Sequence, residues 1–185
     1  MSLPPPRDLR QASRAELDEL ASELFREVGP RVGALGRRFA GGDPEAGEEL
    51  LAETFSRVVS ALPRFQGRSS YATWVLRIAT HVLSEKLRRR RRRPRVALEQ
   101  DPPGDEPTAS ARLRSRERAA RIRSALADLS PSHRMVLSLV ALEGLPRSEV
   151  AEILGVPEGT VWSRYARARL ALAERFRAFG LDDPS

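Results

Sequence analysis

Seven arginines within eight residues, Arg88 to Arg93 and Arg95, are the densest chemistry in the chain. Guanidinium groups hold phosphate through charge and forked hydrogen bonds. Successive helical residues point about 100° apart, so six in a row cannot share one face. That suits a phosphate anchor, which reads no base sequence. If four of the seven met phosphates of one strand, log K against log salt would slope by about −3. Upstream, Phe65 lies in a Gly/Ser loop, and Tyr71 and Trp74 follow at the start of a helix. Aromatic faces beside a loop and near arginine can stack unpaired bases, at roughly 1–3 kcal/mol per base. A tryptophan at that spacing is more often core than a stacking platform.

A third group lies toward the C-terminus, in Pro146–Arg169 (PRSEVAEILGVPEGTVWSRYARAR). Ala151 stands four residues before Gly155 and Val161 six after it, the spacing of a helix-turn-helix. A small residue lets the helices approach, glycine permits a left-handed turn, and a branched residue anchors the second helix. Val156, Val161, Tyr165, Ala168 and Leu172 then face inward, with Pro157 at the first helical position. Glu158, Thr160, Trp162, Ser163, Arg164 and Arg167 face outward from the half that enters a major groove. From Val156 to Ala178 five arginines oppose two glutamates. Arginine pairs with guanine edges or phosphates, and Ser and Thr donate to either. An ordinary helical hairpin shares the spacing but needs no basic outer face.

Charge and composition narrow the classes. The chain has 185 residues, a net charge of +7 and no cysteine. Residues 1–87 carry twelve basic and twelve acidic side chains and residues 96–185 thirteen of each, so the whole excess is the arginine run. A uniformly basic packaging protein is excluded. Without Cys there is no disulfide framework, thiolate-held zinc, iron–sulfur cluster or thiol nucleophile, and no cofactor or metal is expected. His81 and His133 lack acid–base partners at a recognisable spacing, and Gly36 and Gly41-Gly42 are not followed by Gly-Lys-Ser/Thr. An enzyme is not indicated. No apolar run approaches the ~18–20 residues of a membrane span, and Met1-Ser-Leu-Pro-Pro-Pro lacks a signal peptide's apolar core. A cytoplasmic protein is expected.

The elements that must position these groups are helical. Residues 1–15, rich in Pro and charge, read as a disordered tail. Leu17, Leu20, Leu24 and Val28 form a stripe closed by Gly29-Pro30, and Val32, Leu35 and Phe39 continue it to Gly41-Gly42. Asp43-Pro44 starts a helix carrying Leu50, Leu51, Phe55, Val58, Val59 and Leu62, ended by Pro63. Glu48, Glu49 and Glu53 give that helix an acidic face. After the loop PRFQGRSS, Trp74, Val75, Ile78, Val82 and Leu87 mark a helix running into the arginines. Residues 94–112, with four prolines and four acids, read as a linker. Shorter helices follow, one with Ile122, Leu126 and Leu129, the next with Met135, Val136, Leu139 and Val140, then two flanking Gly155. The expected fold is all-α, two small helical domains (16–93 and 113–178) on a flexible tether, with a tail at 179–185. A 19-residue tether spans at most about 65 Å, nearly two turns of B-DNA at about 34 Å each.

Leu145, Val150, Ala151, Ile153, Leu154, Gly155, Val156, Pro157, Gly159-Thr160-Val161, Ser163-Arg164 and Arg167-Ala168-Arg169 resemble region 4 of bacterial sigma factors of the extracytoplasmic-function group. Ala125–Pro146 resembles the first half of that region. The resemblance implies recognition of a −35 promoter element and contact with the polymerase β flap. Trp162 departs from the usual polar or basic residue.

In the first domain, Phe55, Leu62, Arg64-Phe65, Gly67, Ser69-Ser70, Thr73-Trp74 and Arg77-Ile78-Ala79 resemble sigma region 2. By position this implies that Glu49, Leu50, Glu53 and Phe55 dock on the β′ clamp helices of core RNA polymerase. Arg64, Phe65, Gly67, Ser69 and Ser70 match the loop that captures a flipped −10 base. Trp74, Arg77, His81 and the following arginines match the helix along the opened strand. Ala52, His81 and Glu85 depart from a frequent glutamine, asparagine and aspartate. The resemblance covers about residues 17–178, and implies a linker directed toward the polymerase RNA channel and restraint by an anti-sigma factor. The chain reads as a sigma factor that brings core RNA polymerase to promoter DNA, as duplex and opened strand. The alternatives are a stand-alone helix-turn-helix regulator that does not engage polymerase, and an Arg-rich RNA-binding protein supported only by the arginine run.

Overall fold

The computed structural model describes residues 4–5, 7–91 and 109–179. Among them are seven α-helices: α1 (Arg14–Phe39), α2 (Pro44–Ala61), α3 (Tyr71–Arg91), α4 (Ala109–Asp128), α5 (Pro131–Leu137), α6 (Arg147–Leu154) and α7 (Glu158–Ala178). One 3-10 turn, Leu62–Arg64, follows α2, and a π turn, Ser138–Leu142, extends α5. There is no strand among the described residues, only an isolated antiparallel bridge between Asp8 and Gln66. The chain divides into two compact units, one built on α1–α3 and the other on α4, α5 and α7.

In the first unit α1 starts with a capping box: the Ser13 side chain accepts from the Glu16 N–H, and Glu16 returns the bond to the Ser13 N–H. The helix then runs unbroken through Gly29-Pro30, where the sequence suggested a stop. Proline removes one amide donor and crowds the preceding turn. Pro30 is exposed, so water can serve the carbonyl left free, while buried Val28 and Val32 hold the packed side on either flank. The face of α1 toward α2 is unusually close. A Cβ on Gly36 would stand 2.6 Å from the Ala46 oxygen and 2.9 Å from the Gly47 Cα, so glycine is what lets the backbones approach. Asp43 caps α2 by accepting from the Glu45 N–H, with Pro44 in the first turn. Leu24, Leu35, Leu50, Val58, Leu62, Val75, Leu76 and Val82 fill the space between the three helices. Each such side chain contributes about 1.5–3 kcal/mol on burial.

The second unit is smaller in core. Ala125, Leu129, Met135, Val136, Leu139, Val150, Val161 and Ala168 are buried. Arg134 donates to the Ala127 carbonyl at the end of α4, and burial pushes its guanidinium pKa down. Helix α4, at 20 residues, is longer than the short helix expected there, and its first turn lies inside the stretch read as linker. Residues 92–108, most of that stretch, lie outside the described residues, as do residues 180–185.

The N-terminal reading needs correction. Residues 1–15 were expected to be a loose tail, yet Leu9 is 1% exposed and its N–H donates to the Phe65 carbonyl at 2.9 Å. One buried leucine and one backbone pair have no periodicity to reveal them, which is why composition alone misleads here.

Candidate nucleic-acid interface

The start of α7 depends on the turn before it. Gly155 takes φ +63°, the left-handed region that favours glycine, and its N–H bonds back to Glu152. Pro157 then serves as the N-cap of α7 rather than its first helical residue, with φ −57° and ψ 145°. An extended ψ redirects the chain, and the Pro157 carbonyl accepts from the Thr160 and Val161 N–H groups. Val161 and Ala168 are fully buried on one side of the helix, with Val156, Tyr165 and Leu172 half-buried.

On the other side Glu158, Trp162 and Arg167 are exposed, and Thr160, Ser163 and Arg164 half-buried. The Ser163 hydroxyl donates to the Thr160 carbonyl at 3.1 Å. Trp162 is 54% exposed, and the Arg147 guanidinium lies 4.5 Å from its ring centroid. This cation–π pair joins two residues fifteen apart in sequence, so Arg147 was not singled out from spacing. The α7 face combines an indole ring, two hydroxyls and two guanidiniums, with the Arg147 guanidinium of α6 laid over the ring.

In the first unit the loop from Pro63 to Ser70 is built on its aromatics. Phe65 is 5% exposed, with ring centroids 4.9 Å from Tyr71 and 5.1 Å from Trp74. This corrects the expectation that Phe65 offers a face to a base: its ring is core because the short 3-10 turn folds it onto the start of α3. Trp74 is half-buried at the edge of the cluster, and Tyr71 is buried. Arg64, Gln66, Arg68 and Ser70 are exposed, with Gly67 and Ser69 half-buried. Gly67 takes φ +71°. The Ser70 hydroxyl accepts from the Thr73 N–H at 3.0 Å and so caps α3.

Along α3, Arg77, His81, Arg88, Arg89 and Arg90 are exposed. Arg91 is the last helical residue described, while Arg92, Arg93 and Arg95 lie outside the described residues.

The acidic face of α2 is not a set of lone carboxylates. Lys86, the chain's single lysine, lies 3.1 Å from Glu49 and 3.2 Å from Glu53. Arg57 links Glu53 at 2.9 Å to Glu85 at 2.7 Å, and His81 reaches Glu85 at 3.0 Å. The hydrogen bond from Arg57 holds the Glu85 carboxyl below its usual range and raises Arg57 in return. Glu48 and Glu49 remain solvent-facing. Leu50 and Phe55 are 1% and 7% exposed. Expected as docking residues, they are interior supports, because their positions on α2 turn toward α1 and α3.

Two family models match the chain: "Sigma-70 region 2" over residues 24–93 and "Sigma-70, region 4" over residues 119–172. The ECF RNA polymerase sigma factor SigC of Mycobacterium tuberculosis is 39% identical over 134 residues, covering 70% of each chain. The chain belongs to the sigma-70 family, in its ECF group. SigE of Mycolicibacterium smegmatis is 34% identical over 155 residues, 82% of this chain and 60% of that one. Among solved structures, RpoE in its complex with the anti-sigma factor NepR from Bartonella quintana shares the fold, with a TM-score of 0.65 and 22% identity over 86% of this chain and 98% of that one. CnrH, solved with the cytosolic domain of CnrY, gives 0.65 and 25%, covering 89% and 94%. The function of this ECF sigma factor is promoter-directed initiation of transcription with RNA polymerase. The loop at Pro63–Ser70 and helix α3 fall in its region 2, and α6–α7 in its region 4. No described helix is long and apolar enough to cross a membrane.

Proposed function

We propose that the two sites divide promoter recognition by the state of the DNA. Region 4 reads the −35 element as duplex, with Glu158, Thr160, Trp162, Ser163, Arg164 and Arg167 in the major groove. The observation that carries this is the exposed basic face at the start of α7, where a left-handed turn sends the helix out. Guanidinium forks suit guanine edges and phosphates, and the indole suits a thymine methyl or a sugar.

Region 2 handles the opened −10 strand. Arg64, Gly67, Ser69 and Ser70 frame the base, Phe65 props the loop from below, and Trp74, Arg77 and His81 line the path of the strand. Arg88 to Arg93 and Arg95 anchor phosphates beyond it. Opening then needs no catalysis: binding energy for unstacked bases offsets the few kcal/mol of separating them. The protein is accordingly a binding factor and not an enzyme, acting in the cytoplasm.

Glu48, Glu49 and Glu53 present the acidic surface for the clamp helices of the polymerase β′ subunit, with Leu50 and Phe55 bracing it from inside. Region 4 also meets the β flap. An anti-sigma factor, the class of partner present in the RpoE complex, is the proposed regulator. We assign residues 7–93 to the first domain, because Leu9 and the Ser13 cap pack with it, 113–178 to the second, and α4's first turn to the approach from the tether.

Run-off transcription with core polymerase and a promoter library tests the reading. Initiation that depends on both elements is expected. Sequence-independent initiation, or duplex binding that needs no polymerase and ignores opened strands, would overturn it.

A further inference from the structure

The segment Arg7–Arg10 packs against the −10 loop, apart from the residues placed in either DNA site. Leu9 is buried, and its N–H donates to the Phe65 carbonyl at 2.9 Å. Asp8 pairs with Gln66 as an antiparallel bridge. At Gly67 an added Cβ would lie 3.0 Å from the Arg7 carbonyl carbon and 3.2 Å from its Cα. The loop therefore turns directly against the backbone of this segment, so closely that a Cβ would push it back by a few tenths of an ångström.

The segment is itself tied down at its other side. Arg7 Nη2 donates to Glu16 Oε1 at 2.7 Å, while Glu16 Oε2 accepts from the Ser13 N–H and hydroxyl at 2.8 Å each. Asp8 and Arg10 close a local pair at 2.6 Å, and the Ala12 N–H bonds to the Leu9 carbonyl at 3.0 Å. One strap thus links the capped start of α1 to the tip of the loop, four residues from the first helical residue of α3.

We infer that Arg7–Arg10 is a positioning strap for the −10 loop, with Leu9 as its anchor, and that it sets how well the loop holds an unpaired base of the promoter strand. The inference rests on the reading of Arg64–Ser70 as the −10 loop. The physical argument is pre-organisation. A loop with a left-handed glycine and two serines has many alternatives of similar energy, and each costs apparent affinity by the fraction of time it is occupied. Pairing at Gln66 and contact at Gly67 remove those alternatives before the base arrives. Leu9 touches no DNA in this scheme. It acts through the loop, so its loss changes selectivity at −10 and leaves −35 reading alone.

The test uses the full chain assembled with core polymerase on forked promoter DNA. The readout is −10 discrimination, the ratio of affinities for the preferred and substituted strands, beside −35 dependence and core assembly. Because only the preferred strand gains from the loop, Leu9→Ala should weaken that strand alone, and so lower −10 discrimination, roughly tenfold if the competent loop falls to about a tenth of the population. Leu9→Met should restore it. Removal of residues 1–12, which keeps the Ser13 cap, should match Leu9→Ala, with helicity at 222 nm unchanged. Unaltered discrimination in the shortened chain overturns the inference. So does a parallel loss of core assembly and −35 dependence, which would mark a general structural role. Arg64→Ala separates the layers. If it abolishes discrimination while the shortened chain keeps it, the strap is wrong and the loop reading stands. If Arg64→Ala leaves discrimination intact, the loop reading falls and the strap with it.

Discussion

Gly67 and Gly155 adopt the same left-handed conformation, at φ +71° and +63°, in opposite surroundings. A Cβ on Gly67 would press on the Arg7 backbone, whereas one on Gly155 would meet nothing within 4 Å. Each glycine precedes a helix that the proposed reading sets against DNA. One turn is held by a neighbouring chain segment, in the loop proposed to take a single base. The other is held by the chain's own capping bonds and launches a rigid helix face. The difference suits the ligands: duplex arrives with its shape already set, while an unstacked base needs a site whose geometry is fixed in advance.

The largest effect expected lies at the rigid face. Arg164→Ala together with Arg167→Ala should reduce −35-dependent initiation roughly hundredfold, from ~1–3 kcal/mol per base-edge contact. Run-off assays on promoters with and without the −35 element measure it. If −35 dependence survives, α7 is not the reader and the comparison loses one side.

The glycines themselves come next. Gly67→Ala should destabilise the first unit by about 2–3 kcal/mol, combining the ~1–2 kcal/mol of a left-handed Cβ with displacement of Arg7. Gly155→Ala should cost only the first part, about 1–2 kcal/mol, at the turn between α6 and α7. The two tryptophans report separately, Trp74 from one unit and Trp162 from the other. Urea denaturation of Trp74→Phe and Trp162→Phe backgrounds resolves the two transitions. Equal costs would mean that the strap does not press on Gly67.

Replacing Arg88, Arg89 and Arg90 by alanine should flatten the salt dependence of opened-strand binding by about 2 in slope, at ~0.7 per phosphate. Preference among −10 sequences should not change. A change in preference would make the run a reader rather than an anchor.

The smallest effect concerns pH. Glu16 is held at about 2 from an ordinary 4.5, first by the Arg7 hydrogen bond and then by Ser13. A lowered carboxyl pKa means the clasp is fully present above about 4.5 and is lost as pH falls toward about 2. Exchange protection at the Leu9 amide, corrected for intrinsic rates, should therefore be flat from pH 8 to pH 5. A carboxyl titration of Glu16 by NMR near 4.5 would remove this clasp from the strap.

Much of the protein was legible as residues. The stripe Leu20, Leu24, Val28, Val32 and Leu35 announced α1, and the run from Gly155 to Arg167 announced the basic helix, because both are local periodicities a few residues long. The continuity of α1 through Pro30 is not legible in that way, because whether an exposed proline breaks a helix depends on packing from other helices. Phe65, Leu50 and Phe55 look alike as candidates for contact or core in a linear string. Their burial is decided by which way α2 and the 3-10 turn lean on α1 and α3. Trp162 was legible as exposed, and its partner Arg147 was not.

The sequence by itself determined the helical class, the two regions with their order, the address of the charge excess and the basic face of α7. Those follow from periodicity, composition and short motifs, which are carried by neighbouring residues. Only the tertiary structure decided that a segment rich in proline and charge packs on the Pro63–Ser70 loop, that Lys86 binds the acidic face of α2 and Arg57 reaches Glu85, and that an arginine lies over Trp162. Each joins residues distant in sequence through one or two contacts. Such pairs leave no repeating pattern, and they exist only once the helices have packed.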